Sequence, residues 1–218
     1  MATGTVVTNN ARNLAAGQNA LPTMNKRGEL INGQPWHVQL ALEGKVYTCG
    51  VGQITTPISS NVNLVIDDTQ PAFMLRVPVG TTVIPLWMHA YYEATGAAIA
   101  EGAAYLTDSD PGSGTSSALT RTPVNMKTRG PGSTCTGAQI VTASLTFVNN
   151  REFWRFGEPA DLDGTVTGKG GFSWSYLQNS NIPIAVGPAT INCEIACGTS
   201  SSIFFTMVYA EFVSSDLE

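Results

Sequence analysis

At 218 residues with 43% hydrophobic content, the chain can bury a substantial core, and a single all-β domain of this size is common, so length does not require two domains. Charged residues make up 12%, about half of the roughly 25% expected of a soluble domain. That leaves Ser, Thr, Asn, Gln and Gly to cover the surface, and it suits contact with other protein, because an unpaired buried charge costs several kcal/mol. The formal net charge of −5 argues against a coat that binds nucleic acid by neutralising phosphates.

In chain order, residues 1–30 form a polar arm whose only basic residues are Arg12, Lys26 and Arg27. The arm lacks the charged start and apolar run of a secretory signal, and no stretch of the chain is apolar enough to span a bilayer. The expectation is a soluble protein made in the cytoplasm, with no membrane span and no direct nucleic-acid contact. One helical turn, "ARNLAAGQNAL" at 11–21, is the only helix predicted. "WHVQLAL" at 36–42 then alternates Trp36, Val38, Leu40 and Leu42 against His37, Gln39 and Ala41, which predicts a half-buried strand.

"KVYTCGV", "AFMLRV", "TVIPLWMHAYYE", "AIAEGAAYL", "AQIVTASLTFV", "EFWRF", "GFSWSYL", "IPIAVG", "ATINCEIAC" and "SIFFTMVYAEFV" follow, each bounded by Gly, Pro, Asn, Asp or Ser. Many short strands with no internal repeat predict one sandwich or barrel over 31–218. Residues 108–137, dense in Gly, Ser, Thr and Pro, read as a long loop excursion of functional or flexible type.

Within 82–93, alternation puts Thr82, Ile84, Leu86, Met88, Ala90 and Tyr92 on a core face. Val83, Pro85, Trp87, His89, Tyr91 and Glu93 fall on an outer face, where aromatic rings can pack against a neighbouring sheet or subunit. Pro85 cannot donate to a ladder, which predicts an edge or a bulge there, and Pro78 with Gly80 predicts a turn. Reaction chemistry is poorly supported. The two histidines, His37 and His89, form no H-x-H pair, no G-x-S-x-G elbow occurs, and "GTVTGKGG" at 164–171 lacks the spacing of a phosphate loop.

Of the four cysteines, Cys193 and Cys197 on one strand would stand roughly 13 Å apart, at about 3.3 Å per residue, too far for one tetrahedral ion. Reduced, buried thiols are expected, with no metal. The carboxylates at Asp67-Asp68, at Asp108 and Asp110, and at Asp161 and Asp163 read as turn residues rather than a calcium loop or a glycosidase pair.

Charge is segregated. No acid occurs between Pro111 and Arg151, where Arg121, Lys127 and Arg129 lie, and after Lys169 the only charges are Glu194, Glu211, Asp216 and Glu218. A basic loop of one subunit meeting an acidic edge of the next would make a head-to-tail contact. Trp87, His89, Tyr91, Arg121, Lys127, Arg129 and Glu211 are therefore the candidate interface residues.

The stretch Pro71 to Pro85, "PAFMLRVPVGTTVIP", is similar in style to strand-turn-strand pieces of phage structural proteins. With its length, strand number, polar arm, long loop and low charge, the whole domain resembles the single jelly-roll subunits of viral, especially bacteriophage, virions. The resemblance implies an antiparallel jelly-roll-like β-sandwich of about eight to ten strands. It also implies self-assembly into a capsid shell, vertex or surface decoration, with copies of itself and other virion proteins as partners. It implies a virion location, no enzymatic activity and no cofactor. The missing Arg-rich arm departs from small RNA-virus coats and favours an outer shell or decoration role. The competing reading is a carbohydrate- or receptor-binding module, with Trp87, Tyr91, Trp154 or Trp174 stacking on sugar rings; a glycan hydrolase would need two facing carboxylates.

Overall fold

The computed structural model describes residues 36–52, 58–59, 66, 69–93, 101–111, 119–139, 145–157, 169–178, 181–196 and 202–216. The arm at 1–30, with its helical turn at 11–21, lies outside the described residues. After one helix, α1 (Trp36–Glu43), come β1 (Val46–Val51), β2 (Ile58–Ser59), β3 (Phe73–Val77), β4 (Thr81–Glu93), β5 (Glu101–Thr107), β6 (Leu119–Arg121), β7 (Val124–Asn125), β8 (Thr136–Gln139), β9 (Arg151–Gly157), β10 (Lys169–Ser175), β11 (Ala185–Val186), β12 (Ala189–Ala196) and β13 (Ser202–Val213).

Eight of these strands define the architecture. β1 pairs β13, β3 pairs β12, β4 pairs β10 and β5 pairs β9, all antiparallel. First with last, second with seventh, third with sixth and fourth with fifth is one long hairpin rolled over on itself, the jelly-roll path. Rolling it brings β13 beside β4 and β12 beside β5, which gives two sheets, β10-β4-β13-β1-β7 and β6-β8-β3-β12-β5-β9. The predicted β-sandwich is therefore the observed fold.

Alternate residues of the facing strands fill the space between the sheets. Phe73, Leu75 and Val77 of β3, Ile191 and Cys193 of β12, and Phe205, Met207 and Tyr209 of β13 form one buried cluster with Trp174. Burial of each large apolar side chain contributes about 1.5–3 kcal/mol. Gly102 on β5 is required by this packing: a Cβ there would stand 2.2 Å from the Phe156 ring and 2.6 Å from the Glu194 carbonyl oxygen.

The predicted strand at 36–42 is instead α1. Leu40 is its buried residue, while Val38 and Leu42, expected inside, are exposed. The segment is rich in helix formers, Gln39 donates to Glu43 across one turn, and Gly44 ends the helix at φ 73. Gly44 N–H bonds the Ala41 carbonyl and Lys45 N–H the Leu40 carbonyl, the paired closing bonds of a Schellman motif. A short apolar run satisfies both periodicities, and here the glycine stop decides for helix.

The 108–137 excursion carries β6, β7 and the start of β8. β7 pairs β1, β8 pairs β3 and β6 pairs β8, so the insertion between β5 and β9 adds one strand to the first sheet and two to the second, and β1 touches both β6 and β8. Asn125 fastens it: its amide donates to the carbonyls of Gly44 and Pro131, and its Oδ1 accepts from Lys127 N–H. Its Gly, Ser and Thr content reads as a loop because these strands are too short to show alternation. "AQIVTASLTFV" starts in β8; 140–144 lie outside the described residues, and Leu145 packs against Met74 and Ala138 on the outer side of the second sheet.

Candidate interface on an outer sheet face

β4 positions the candidate face. The turn before it forms as predicted, with Thr81 N–H bonded to the Pro78 carbonyl and Gly80 at φ 80. Pro85 lies at neither edge of the sheet but at a bulge, where the register with β13 shifts between Val208 and Tyr209. The extra residue changes the phase of the strand. Val83 is fully buried and Pro85 is buried opposite Tyr209, both expected outside, whereas Trp87 and Tyr91 keep the outward side with His89. Leu86 joins a second buried cluster with Leu40, Val46 and Ala210, so α1 roofs this end of the outer face.

Beyond the roof, the outer face is aromatic. The rings of Trp87 and His89 stack at 5.5 Å with a 4° angle between planes, and Tyr91 lies 5.7 Å from Phe204 of β13. His89 Nδ1 is hydrogen-bonded to Ser173 Oγ at 2.8 Å. Gly171 on β10 makes room for the imidazole, since a Cβ there would stand 2.9 Å from its Cε1. At the helix start, Trp36 packs edge-on to Tyr176 at 4.9 Å, and the Tyr176 hydroxyl is hydrogen-bonded to His37 Nδ1 at 2.5 Å. Trp36 and Trp87 remain 41% and 37% exposed, which marks a surface that the fold itself does not bury.

The charged candidates separate from this strip. Glu211 is buried and accepts from Ser133 Oγ at 2.5 Å and from Thr134 N–H and Oγ1 at 2.8 Å each. Tyr209 in turn donates to Ser133 Oγ at 2.8 Å; burial first, then the nearby Cys135 and Glu211, pushes its phenol pKa up and keeps it a donor. Glu211 thus holds the stretch between β7 and β8, the very insertion whose basic residues it was expected to meet in another subunit. Glu194 is buried as well, so neither residue presents an acidic edge to a neighbour. Arg121 donates to Gln139 and Lys127 to the Leu42 carbonyl, while Arg129 is exposed in a left-handed turn at φ 62.

The carboxylates weighed for chemistry are engaged structurally. Arg76 binds Asp110 through two bonds of 2.8 and 2.7 Å. Asp108 takes bonds from Asn149 and Arg151, which hold its pKa below the usual value. Asp67, Asp68, Asp161 and Asp163 lie outside the described residues, as does Cys197. Cys49, Cys135 and Cys193 are buried free thiols whose pKa values burial raises, that of Cys49 to about 11. Lys169 to Gly171 of "GTVTGKGG" open strand β10 rather than a helix that could hold phosphate. Among the described residues, no helix is long and apolar enough to cross a membrane, and no three His, Cys, Asp or Glu side chains gather as metal ligands.

Trp174 is wholly buried in the core and Trp154 packs against that core, so of the aromatics considered for sugar stacking only Trp87 and Tyr91 belong to the outer strip. Comparison with protein-family models, with curated proteins and with solved structures finds no match for the chain.

Proposed function

We propose that the chain is a virion structural subunit that self-assembles into, or decorates, a viral capsid through charge-poor faces, without chemistry of its own. One observation carries the reading: the outer face of the β10-β4-β13-β1 sheet is roofed by α1 at one end and continues as the Trp87, His89, Tyr91 and Phe204 strip. Jelly-roll sandwiches serve as capsid subunits, and an aromatic face of this kind is covered at low cost by another protein surface. Glu211 plays no part in that contact. Light scattering on size-fractionated protein tests it, together with electron micrographs of the largest species. Oligomers that persist as salt is raised are expected, because apolar contacts are not screened. Trp87→Lys should dissociate them while leaving the circular dichroism spectrum unchanged, and a monomer at every salt concentration would refute the proposal.

Jelly rolls also serve as lectins, and Trp87 is exposed, which keeps a carbohydrate-binding module as the second reading. His89 already covers one face of the indole, leaving less of it for a sugar ring. Glycan-array binding abolished by Trp87→Ala, from a protein that does not self-associate, would promote the second reading over the first.

A further inference from the structure

The sheet edges are guarded unequally. An exposed strand edge offers unpaired N–H and C=O groups to another chain, and folded proteins blunt such edges with short strands or charge. β6 and β7, which end the two sheets on one side, are three and two residues long. β9, which ends the second sheet on the other side, carries exposed Arg151, Glu152 and Arg155. β10, by contrast, runs for seven residues as "KGGFSWS", with no charge after Lys169, and among the described residues no strand lies beyond it.

The backbone of β10 can be phased. Tyr176 N–H bonds the Leu86 carbonyl in continuation of the β10 to β4 register, so even-numbered residues face β4 and Gly171 and Ser173 turn their N–H and C=O groups to the open side. Past the strand, Ile182, Ile184 and Val186 leave an alternate row of exposed apolar side chains along the same flank of β4, where β11 pairs.

We propose that β10 is a pairing edge on which a second copy of this chain adds its own β10 antiparallel, about a two-fold axis near Ser173. This deepens the assembly reading above and rests on it. The strand is complementary to itself in that register: Gly171 falls opposite Ser175 and Phe172 opposite Trp174, while Lys169 lies beyond the end of the facing strand, where the chain turns and Gln178 N–H bonds the Ser175 carbonyl, so no like charges meet. β9 lacks that simplicity, because its arginines and glutamate would have to be brought to the seam. Pairing joins the sheets of the two copies into one and makes their aromatic strips neighbours on a continuous face.

Ser173→Pro removes the outward N–H donor from each subunit at an edge position where proline is tolerated. Sedimentation of the full chain should show a wild-type dimer whose dissociation constant rises about thirtyfold in the variant. Val124→Asp, on the opposite edge, should leave it unchanged. Ser173→Pro also removes the hydroxyl that bonds His89, so Ser173→Cys with a short bis-maleimide provides an independent reading, with cross-linked dimer expected well above the wild-type background. Dimers that survive Ser173→Pro with native circular dichroism, or dimers in which the thiol introduced by Ser173→Cys fails to cross-link, overturn this edge while leaving the assembly reading intact. Edge-paired dimers that never build a larger particle leave this inference standing and overturn the self-assembling shell in favour of a decorating subunit. A wild-type chain that is monomeric at the highest concentration reached overturns both.

Discussion

Glu211 shows how much one side chain can organise. Its carboxylate collects Ser133 and Thr134, and through Ser133 it orients Tyr209, which stacks on Tyr47 at 5.7 Å. Glu211→Ala leaves the three donors of Ser133 and Thr134 without their carboxylate acceptor and should destabilise the fold by about 3 kcal/mol, whereas Glu211→Gln, which keeps one acceptor oxygen, should cost about half as much. Urea denaturation monitored by tryptophan fluorescence distinguishes the two. The acid was legible in the sequence as a charge near the carboxy-terminal end, but its partners lie 77 and 78 residues away and are ordinary loop residues, so nothing local identified it as buried. His89 was legible as an outward residue; its stacking on Trp87 follows from their i, i+2 spacing, while its bond to Ser173 depends on a register that no local pattern encodes.

At the level of elements, most strands announced themselves by alternation, and the misreadings have two physical sources. The first is α1, where a short run fits both periods and the deciding feature was the glycine that follows. Gly44→Ala forces a residue with a Cβ into left-handed backbone, 3.1 Å from Pro131 Cδ, and should cost about 1 kcal/mol. Faster hydrogen exchange at the Gly44 and Lys45 amides would report it. The second is the bulge in β4, which reversed the faces of Val83 and Pro85 relative to Trp87; an inserted residue shifts every side chain before it, and Pro85 signalled the irregularity without fixing the phase. The insertion depends on Asn125 for its hold on the helix cap. Asn125→Ala should destabilise by about 2 kcal/mol, with exchange rising first in β7 and around Gly44.

For the molecule as a whole, the buried thiols and the Tyr209 phenol set its response to alkali. Burial raises the Cys49 pKa from 9.0 to about 11, and Cys135, Cys193 and Tyr209 shift in the same direction. A raised value means that the folded state holds the proton more tightly than the unfolded chain does. The contribution is therefore complete below about pH 9 and is lost as pH rises through 11. For Cys49 alone it is on the order of 2–3 kcal/mol, so the urea midpoint should fall steadily between about pH 9 and about pH 11, with a shallower slope in Cys49→Ala. The sandwich was readable from turn-punctuated runs and low charge. The order of strands within each sheet was not, because it depends on which distant edges meet when the hairpin rolls.

That order has a consequence for synthesis. β13 is the last of these strands to be translated, yet it occupies the middle of its sheet, between β1 and β4. Until its residues leave the ribosome, no ladder can join β1 to β4, so closure of that sheet waits for β13. Stalling translation shortly before residue 202 should yield a protease-sensitive product, and supplying the missing segment as a free peptide should rescue it.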